Sequence, residues 1–180
     1  MNLFETIQAR QSVRAFQPKE VEPDKLEAVL AAANQAPSAG NLQAYHIYLI
    51  RDVKVKEALA AASLDQRFLV QAPVVLAFCT DPARSARYGK RGEQLYSVQD
   101  ATIAVAYAQL AATALGLATC WVGAFDDPAV SRVLELPSGQ RPVALLPLGY
   151  AAESPERTPR RTLADLVTGW EPSRRKAPER

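Results

Sequence analysis

Apolar residues recur along this chain in more than one rhythm, and each rhythm predicts an element. Leu3, Phe4 and Ile7 give the N-terminus one apolar face, Asn2 and Glu5 stand at the spacing of a capping box, and a short helix ending near Arg10 is expected. Pro23 opens a second helix, in which Leu26, Val29, Leu30 and Ala33 follow a 3.6-residue period until Pro37 forces the chain out. Residues 45–51 are β-branched and aromatic and predict a strand; residues 74–79 are apolar throughout and predict a more deeply buried one. An alanine-rich helix is expected between them at 53–62. From 96 to 115 the pattern is apolar on most sides, with Gly116 placed as a stop, which predicts a central helix packed on several faces. Strands near 118–122 and 143–149 follow, separated by a short helix at 128–134, and Thr162 with Asp165 predicts a last capped helix. Helices and strands alternate irregularly with short connections, so the fold class is α+β, a mixed sheet flanked by helices.

The chain has 180 residues, 48% of them hydrophobic. Length over roughly 150 gives one domain as the prior, and residues 1–170 are read as that domain. Chains of this size bury about 70% of their unfolded surface, so neither disulfide nor metal is required to hold them. Cys79 and Cys120 lie in apolar runs without the spacing of a disulfide framework and are read as buried thiols. No secretory leader pattern is present, and the most apolar segments fall short of the roughly 20 residues a membrane span needs, so a soluble, cytoplasmic protein is expected. The net charge of +2 hides an asymmetry. Residues 156–180 carry seven Lys or Arg against four Asp or Glu, which leaves a near-neutral body and a basic, frayed tail at 171–180. A nucleic-acid binder would place its basic stripe on a folded face, so no nucleic-acid role is expected.

Several chemistries are poorly supported by the residues at hand. The single histidine, His46, is expected as a packed strand residue and cannot supply a two-histidine zinc site. There is no Gly-x-Ser-x-Gly elbow, no Gly-x-Gly-x-x-Gly and no Walker loop. What remains is Arg10-Gln11-Ser12-Val13-Arg14, two guanidiniums around a hydroxyl, followed by the uncharged cluster Ala36-Pro37-Ser38-Ala39-Gly40-Asn41-Leu42-Gln43. Guanidinium binds phosphate oxygens bidentately, and amides with hydroxyls read the edge of a neutral heterocycle. Phosphate at one end and a ring at the other describe a mononucleotide.

Two further motifs follow in order, Cys120-Trp121-Val122-Gly123-Ala124-Phe125-Asp126 and Pro159-Arg160-Arg161-Thr162-Leu163. With all four in this order the chain resembles the nitroreductase family of flavin mononucleotide (FMN) enzymes over nearly its whole length. It departs from the family at Ala44, where relatives often carry proline, and at Gln11, where many carry a further arginine. The resemblance implies an intertwined homodimer with FMN in clefts at the interface, reduced by NADH or NADPH and reoxidised by a small acceptor such as a nitroaromatic or a quinone, in ping-pong order. It assigns Arg10, Ser12, Arg14, Arg160 and Arg161 to the phosphate, and Pro37, Ser38, Asn41 and Gln43 to the flavin across the interface. Gly123 would present its backbone N–H to flavin N5, with Ala124 continuing the contact and Gln66 reaching the pyrimidine edge. The flavin carries the chemistry, so no catalytic side chain is expected. Residues 88–96, with two glycines, two tyrosines and charge, are expected as a loop bordering the open face of the flavin. Flavin-consuming or dehalogenating chemistry, or flavin binding without turnover, are the alternatives within this reading.

Overall fold

The computed structural model describes residues 1–169; Trp170 and the basic tail expected at 171–180 lie outside the described residues. In chain order the elements are α1 (Leu3–Ala9), α2 (Pro23–Asn34), β1 (Tyr45–Ile50), α3 (Val53–Ala62), α4 (Phe68–Gln71), β2 (Val74–Thr80), α5 (Pro82–Ser85), α6 (Gly89–Arg91), α7 (Ser97–Ala114), β3 (Ala118–Thr119), α8 (Asp127–Val133), β4 (Pro142–Gly149) and α9 (Leu163–Leu166). The chain adopts the expected α+β class. Among the described residues, no helix is long and apolar enough to cross a membrane.

All seven residues of β2 are buried, so both faces of the sheet must be covered. Alternation along the strand divides the core in two. Val74, Leu76 and Phe78 join Leu146 and Leu148 of β4 under α2 and α7, where Leu26, Val29, Ala33, Ala104, Val105 and Ala108 meet them. Val75, Ala77 and Leu145 face the other way, onto Leu59 and Ala60 of α3, Leu69 of α4 and Val130 of α8. The strand order is β1-β2-β4-β3, and each ladder is antiparallel. The mixed character expected of the sheet comes from one parallel bridge, Ser12 to Thr119. The register slips between Phe78 and Cys79, where Pro142 has no N–H to offer.

Local signals explain most boundaries. Asn2 accepts from the Glu5 N–H at 3.0 Å and the Glu5 carboxylate accepts from the Asn2 N–H at 2.8 Å, completing the capping box of α1. α7 ends in a Schellman motif: Gly116 takes φ +75° and donates to Thr113, while Leu117 donates to Ala112 at 2.8 Å. Ala101, Ala104, Ala108 and Ala112 are all buried along α7, and their small side chains let the helix lie close to the sheet and α2. Two expectations need correction. Residues 88–96 are not a loop, because α6 and a π-helical stretch, Gly92–Tyr96, run directly into α7. His46 lies on β1, but its side chain is exposed, since β1 is an edge strand, and its ring stands 4.7 Å from that of Tyr48. The apolar face expected of α1 is present but open: Leu3, Phe4 and Ile7 are 61%, 75% and 50% exposed, and only Thr6 of that helix is buried.

A polar staple closes β4 onto α2. The Tyr150 hydroxyl lies 2.6 and 2.8 Å from the two Glu22 carboxylate oxygens, accepts from Lys25 Nζ at 2.7 Å, and Lys19 Nζ stands 3.6 Å from the ring centroid. Hydrogen bonding from Tyr150, above all, pushes the Glu22 carboxyl from its ordinary 4.5 down to about 2. A carboxyl lowered by folding adds stability above its unfolded value, and that stability is lost as the pH falls through the folded one. Tyr150→Phe is therefore expected to lower the urea midpoint at neutral pH, with the difference from the wild type closing between pH 4.5 and about 2. A pH series of urea melts checks this; a difference that persists unchanged at the acid end would refute it.

Candidate functional site

The arginine pair is fixed by strand pairing. Arg10 is the C-cap of α1, where the backbone turns to φ −58°, ψ 122°. Beyond it the chain lies along β3: the Val13 N–H donates to the Thr119 carbonyl at 3.0 Å, Ser12 bridges Thr119, and Val13 and Phe16 are buried in the second core layer. In an extended segment alternate residues point to opposite sides, so burying Val13 sends Ser12 and Arg14 the other way. The Cys120 thiol, next after β3, feels all three of Arg10, Ser12 and Arg14. Burial pushes that thiol up, and Arg14, a hydrogen bond with Ser12, and Arg10 oppose the shift. The Glu153 carboxylate accepts the Arg14 backbone N–H. Among the described residues, neither the Arg10 nor the Arg14 guanidinium has an ion-pair partner. Cys79, fully buried, is pushed up to about 12 by burial and takes no part.

Gly123 and Ala124 bridge two anchors. Before them, Val122 exchanges both backbone hydrogen bonds with Leu145, at 3.0 and 2.9 Å. After them, the Asp126 N–H donates to the Ala62 carbonyl at 2.9 Å, and the Asp126 side chain caps α8 at Ala129. Gly123 and Ala124 are exposed, and neither N–H donates a hydrogen bond among the described residues. A Cβ on Gly123 would come within 3.2 Å of Trp121 Nε1. Gln66 is drawn to this turn, its Nε2 donating to the carbonyls of Ala124 at 3.1 Å and Ser63 at 2.9 Å.

The uncharged loop hangs from a group the sequence reading missed. Asp100, 2% exposed on α7, accepts the Ala39 N–H at 2.9 Å and the Ala44 N–H at 3.2 Å. A lone carboxylate in an otherwise apolar helical stretch was the available signal. Between those two amides, Ser38 Oγ accepts the Gln43 N–H at 3.0 Å, and Gln43 Nε2 donates to Asn41 Oδ1 at 2.6 Å. Gly40, Asn41 and Gln43 all take the left-handed conformation, at φ +57°, +56° and +44°. The two non-glycine residues store strain of the kind that collects at ligand-binding turns. Pro37, Ser38, Tyr96, Gln99, Thr102 and Ile103 line an open cleft of about 510 Å³ beside the loop.

The expected site residues thus form two groups within the protomer. One holds Arg10, Ser12 and Arg14 at β3, close in sequence to the Gly123–Ala124 turn that binds Gln66. The other holds Pro37, Ser38, Asn41 and Gln43. Both are tied to α7, the second at Asp100 and the first through Gln109, which donates to Thr119 Oγ1 at 3.3 Å. Nine residues separate these attachments, about 13 Å of helix. Arg160 and Arg161 are exposed, the Arg161 guanidinium donates to the Asp165 carbonyl, and among the described residues no hydrogen bond carries either to the first group.

A family model described as the nitroreductase family matches residues 7–67 and 63–150. The chain belongs to the nitroreductase family. It is 30% identical over 159 residues to a putative NADH dehydrogenase/NAD(P)H nitroreductase of Methanothermobacter thermautotrophicus, covering 86% of this chain and 80% of the relative. It is 30% identical over 165 residues to an oxygen-insensitive NADPH nitroreductase of Salmonella typhimurium, covering 87% and 69%. Its fold superimposes with a TM-score of 0.87 on an NADPH:FMN oxidoreductase of Vibrio harveyi solved with NAD+, at 25% identity, covering 95% of this chain and 78% of that one. The donor set fits FMN: two guanidiniums without carboxylate partners and a hydroxyl suit the phosphate, and two exposed N–H groups suit ring acceptors.

Asp100→Asn turns an acceptor into an NH2 donor facing a backbone N–H. The expected cost is about 2–3 kcal/mol, as for hydrogen bonds to a charged group, together with lower flavin retention. Thermal melts and the flavin-to-protein absorbance ratio check both; an unchanged melt and full flavin content would show that the loop does not depend on this carboxylate.

Proposed function

We propose that the protein is an FMN-dependent oxidoreductase that draws electrons from NADH or NADPH and passes them to small electrophilic acceptors such as nitroaromatics or quinones. The observation that carries this reading is the strand-paired segment that buries Val13 against β3 and turns Ser12 and Arg14 the other way, with Arg10 at its start and neither guanidinium ion-paired among the described residues. Their guanidiniums and hydroxyl bind the phosphate, Gly123 and Ala124 offer their N–H groups to the ring, and Gln66 borders its polar edge. FMN, when bound, supplies the capacity to accept and release two electrons. The protein's part is to bind, orient and limit access. Donor and acceptor use one opening in turn, which gives ping-pong kinetics.

The functional form in this reading is a homodimer. The apolar residues of α1 and those of α9, Leu163 and Leu166, with Val167 beyond, are 50% exposed or more and form faces that a second copy of the chain would cover. Pro37, Ser38, Asn41 and Gln43 of one protomer then complete the flavin site begun by Arg10–Arg14 of the other. Arg160 and Arg161 reach the phosphate in the assembled pair.

Purified protein is expected to be yellow, to bleach on anaerobic addition of NADH or NADPH, and to give parallel double-reciprocal plots; intersecting plots would refute the ping-pong order, and a yellow protein that does not bleach would mean binding without turnover. Arg10→Ala and Arg14→Ala should each weaken FMN binding about tenfold or more, one lost charge-assisted contact being worth about that factor. Light scattering should give twice 19.6 kDa, and Phe4→Asp with Ile7→Asp should yield a monomer depleted of FMN. A wild-type monomer that keeps its flavin would overturn the dimeric site.

A further inference from the structure

Residues 84–96 carry Arg84, Arg87, Lys90 and Arg91 against one acid, Glu93. Three of these cations are held in place by neutral partners. Arg84 Nε donates to the Leu42 carbonyl at 2.9 Å, Arg87 Nη2 to the Gly40 carbonyl at 3.2 Å and the Tyr88 hydroxyl at 2.9 Å, and Arg91 Nε to the Tyr96 hydroxyl at 3.1 Å. Arg87 lies 4.9 Å from the Tyr88 ring and Arg91 5.5 Å from the Tyr96 ring, and the two rings meet edge to face at 5.5 Å. Among the described residues none of the four cations forms an ion pair. Glu93 lines a different cleft, with Gln94 and Arg141. Tyr96 lines the cleft beside the Pro37–Gln43 loop, so the cationic strap borders that opening. Gly40 is what lets the strap close on the loop: a Cβ there would fall 2.0 Å from Arg87 Nη2 and 2.3 Å from the Tyr88 hydroxyl.

Each guanidinium spends one or two of its five N–H donors on these contacts, so the remainder are already oriented and, among the described residues, have no protein acceptor. Fixed forks of this kind match a phosphate dianion, and the accessible parts of the Tyr88 and Tyr96 rings match a flat base. Within the protomer Arg84 and Arg87 bond the Gly40–Leu42 turn, whereas Arg10 and Arg14 flank the segment paired with β3. We propose that Arg87 and Arg91, with Tyr88 and Tyr96, form a docking subsite for a phosphate monoester carried on a planar heterocycle. This rests on the oxidoreductase reading above. Two molecules share that chemistry: NADPH, through its adenosine 2′-phosphate, and free FMN taken up as an acceptor.

The flavin spectrum and its bleaching by NADH test the oxidoreductase reading first, independently of the strap. The strap is then read as two ratios of kcat/KM, NADPH over NADH with ferricyanide as acceptor, and FMN over riboflavin at saturating NADH. At least one ratio is expected to favour the phosphorylated member, to fall about tenfold in Arg87→Gln/Arg91→Gln, and to fall in the wild type as salt screens the charges. The pair that responds identifies the source. If the double variant does not fold, Arg91→Gln, whose guanidinium among the described residues hydrogen-bonds only Tyr96, and the wild-type salt series decide the matter. Should the protein prove colourless or inert to NADH, calorimetry of 2′-AMP against adenosine on the same variants reads the subsite without turnover: a preference for 2′-AMP that Arg87→Gln/Arg91→Gln abolishes supports it, and equal binding of the two overturns it. Ratios near one in the wild type, or ratios that survive both substitution and salt, overturn the proposal.

Discussion

A strand buried on both faces cannot stand at the edge of a structure, and β2 imposes that condition on the rest of this molecule. Its alternate residues need apolar cover on two sides, which α2 and α7 give on one and α3, α4 and α8 on the other. Burying a residue such as Phe78 is worth about 1.5–3 kcal/mol, and β2 contributes several such residues. The long alanine-rich helix is thereby held against the sheet, and both groups of site residues hang from it.

Charge in the site is arranged by what is withheld. Arg10 and Arg14 stand beside a buried thiol and a hydroxyl, with Glu153 engaged at the Arg14 backbone rather than in an ion pair. The Pro37–Gln43 loop is the reverse case, neutral itself but suspended from the buried carboxylate of Asp100 through two amides. Burial of Asp100 strengthens the second arrangement, since its carboxylate meets the two amides away from water. Basic residues of the 84–96 strap add a third charged region that is oriented by tyrosines and carbonyls instead of acids.

Much of this was legible in the residues. Periodicity located α2, α3 and α7, proline and glycine marked their ends, and the apolar run at 74–79 announced a strand covered twice. The Arg10–Arg14 cluster was readable because guanidiniums flanking a hydroxyl have few structural reasons to exist. Asp100 was legible only as an oddity, a lone acid in an apolar helix, because its sequence position does not say which distant loop it holds. The helical state of residues 88–96 was hidden by Gly89 and Gly92, whose turn-forming tendency is overridden by packing: a Cβ at Gly92 would fall 2.1 Å from the Ser85 carbonyl oxygen. The openness of the α1 face could not be read from its pattern, since an apolar stripe gives no hint of which partner it meets.

The left-handed run at Gly40, Asn41 and Gln43 has an evolutionary corollary. Glycine would relax the backbone at either of the latter two positions, yet would delete the amide that closes the Ser38–Asn41–Gln43 network. Sequence drift at this bend is therefore pulled in opposite directions, toward ease of folding and toward an intact array of donors. A chain that keeps both amides carries a local rigidity that no distant substitution can easily replace.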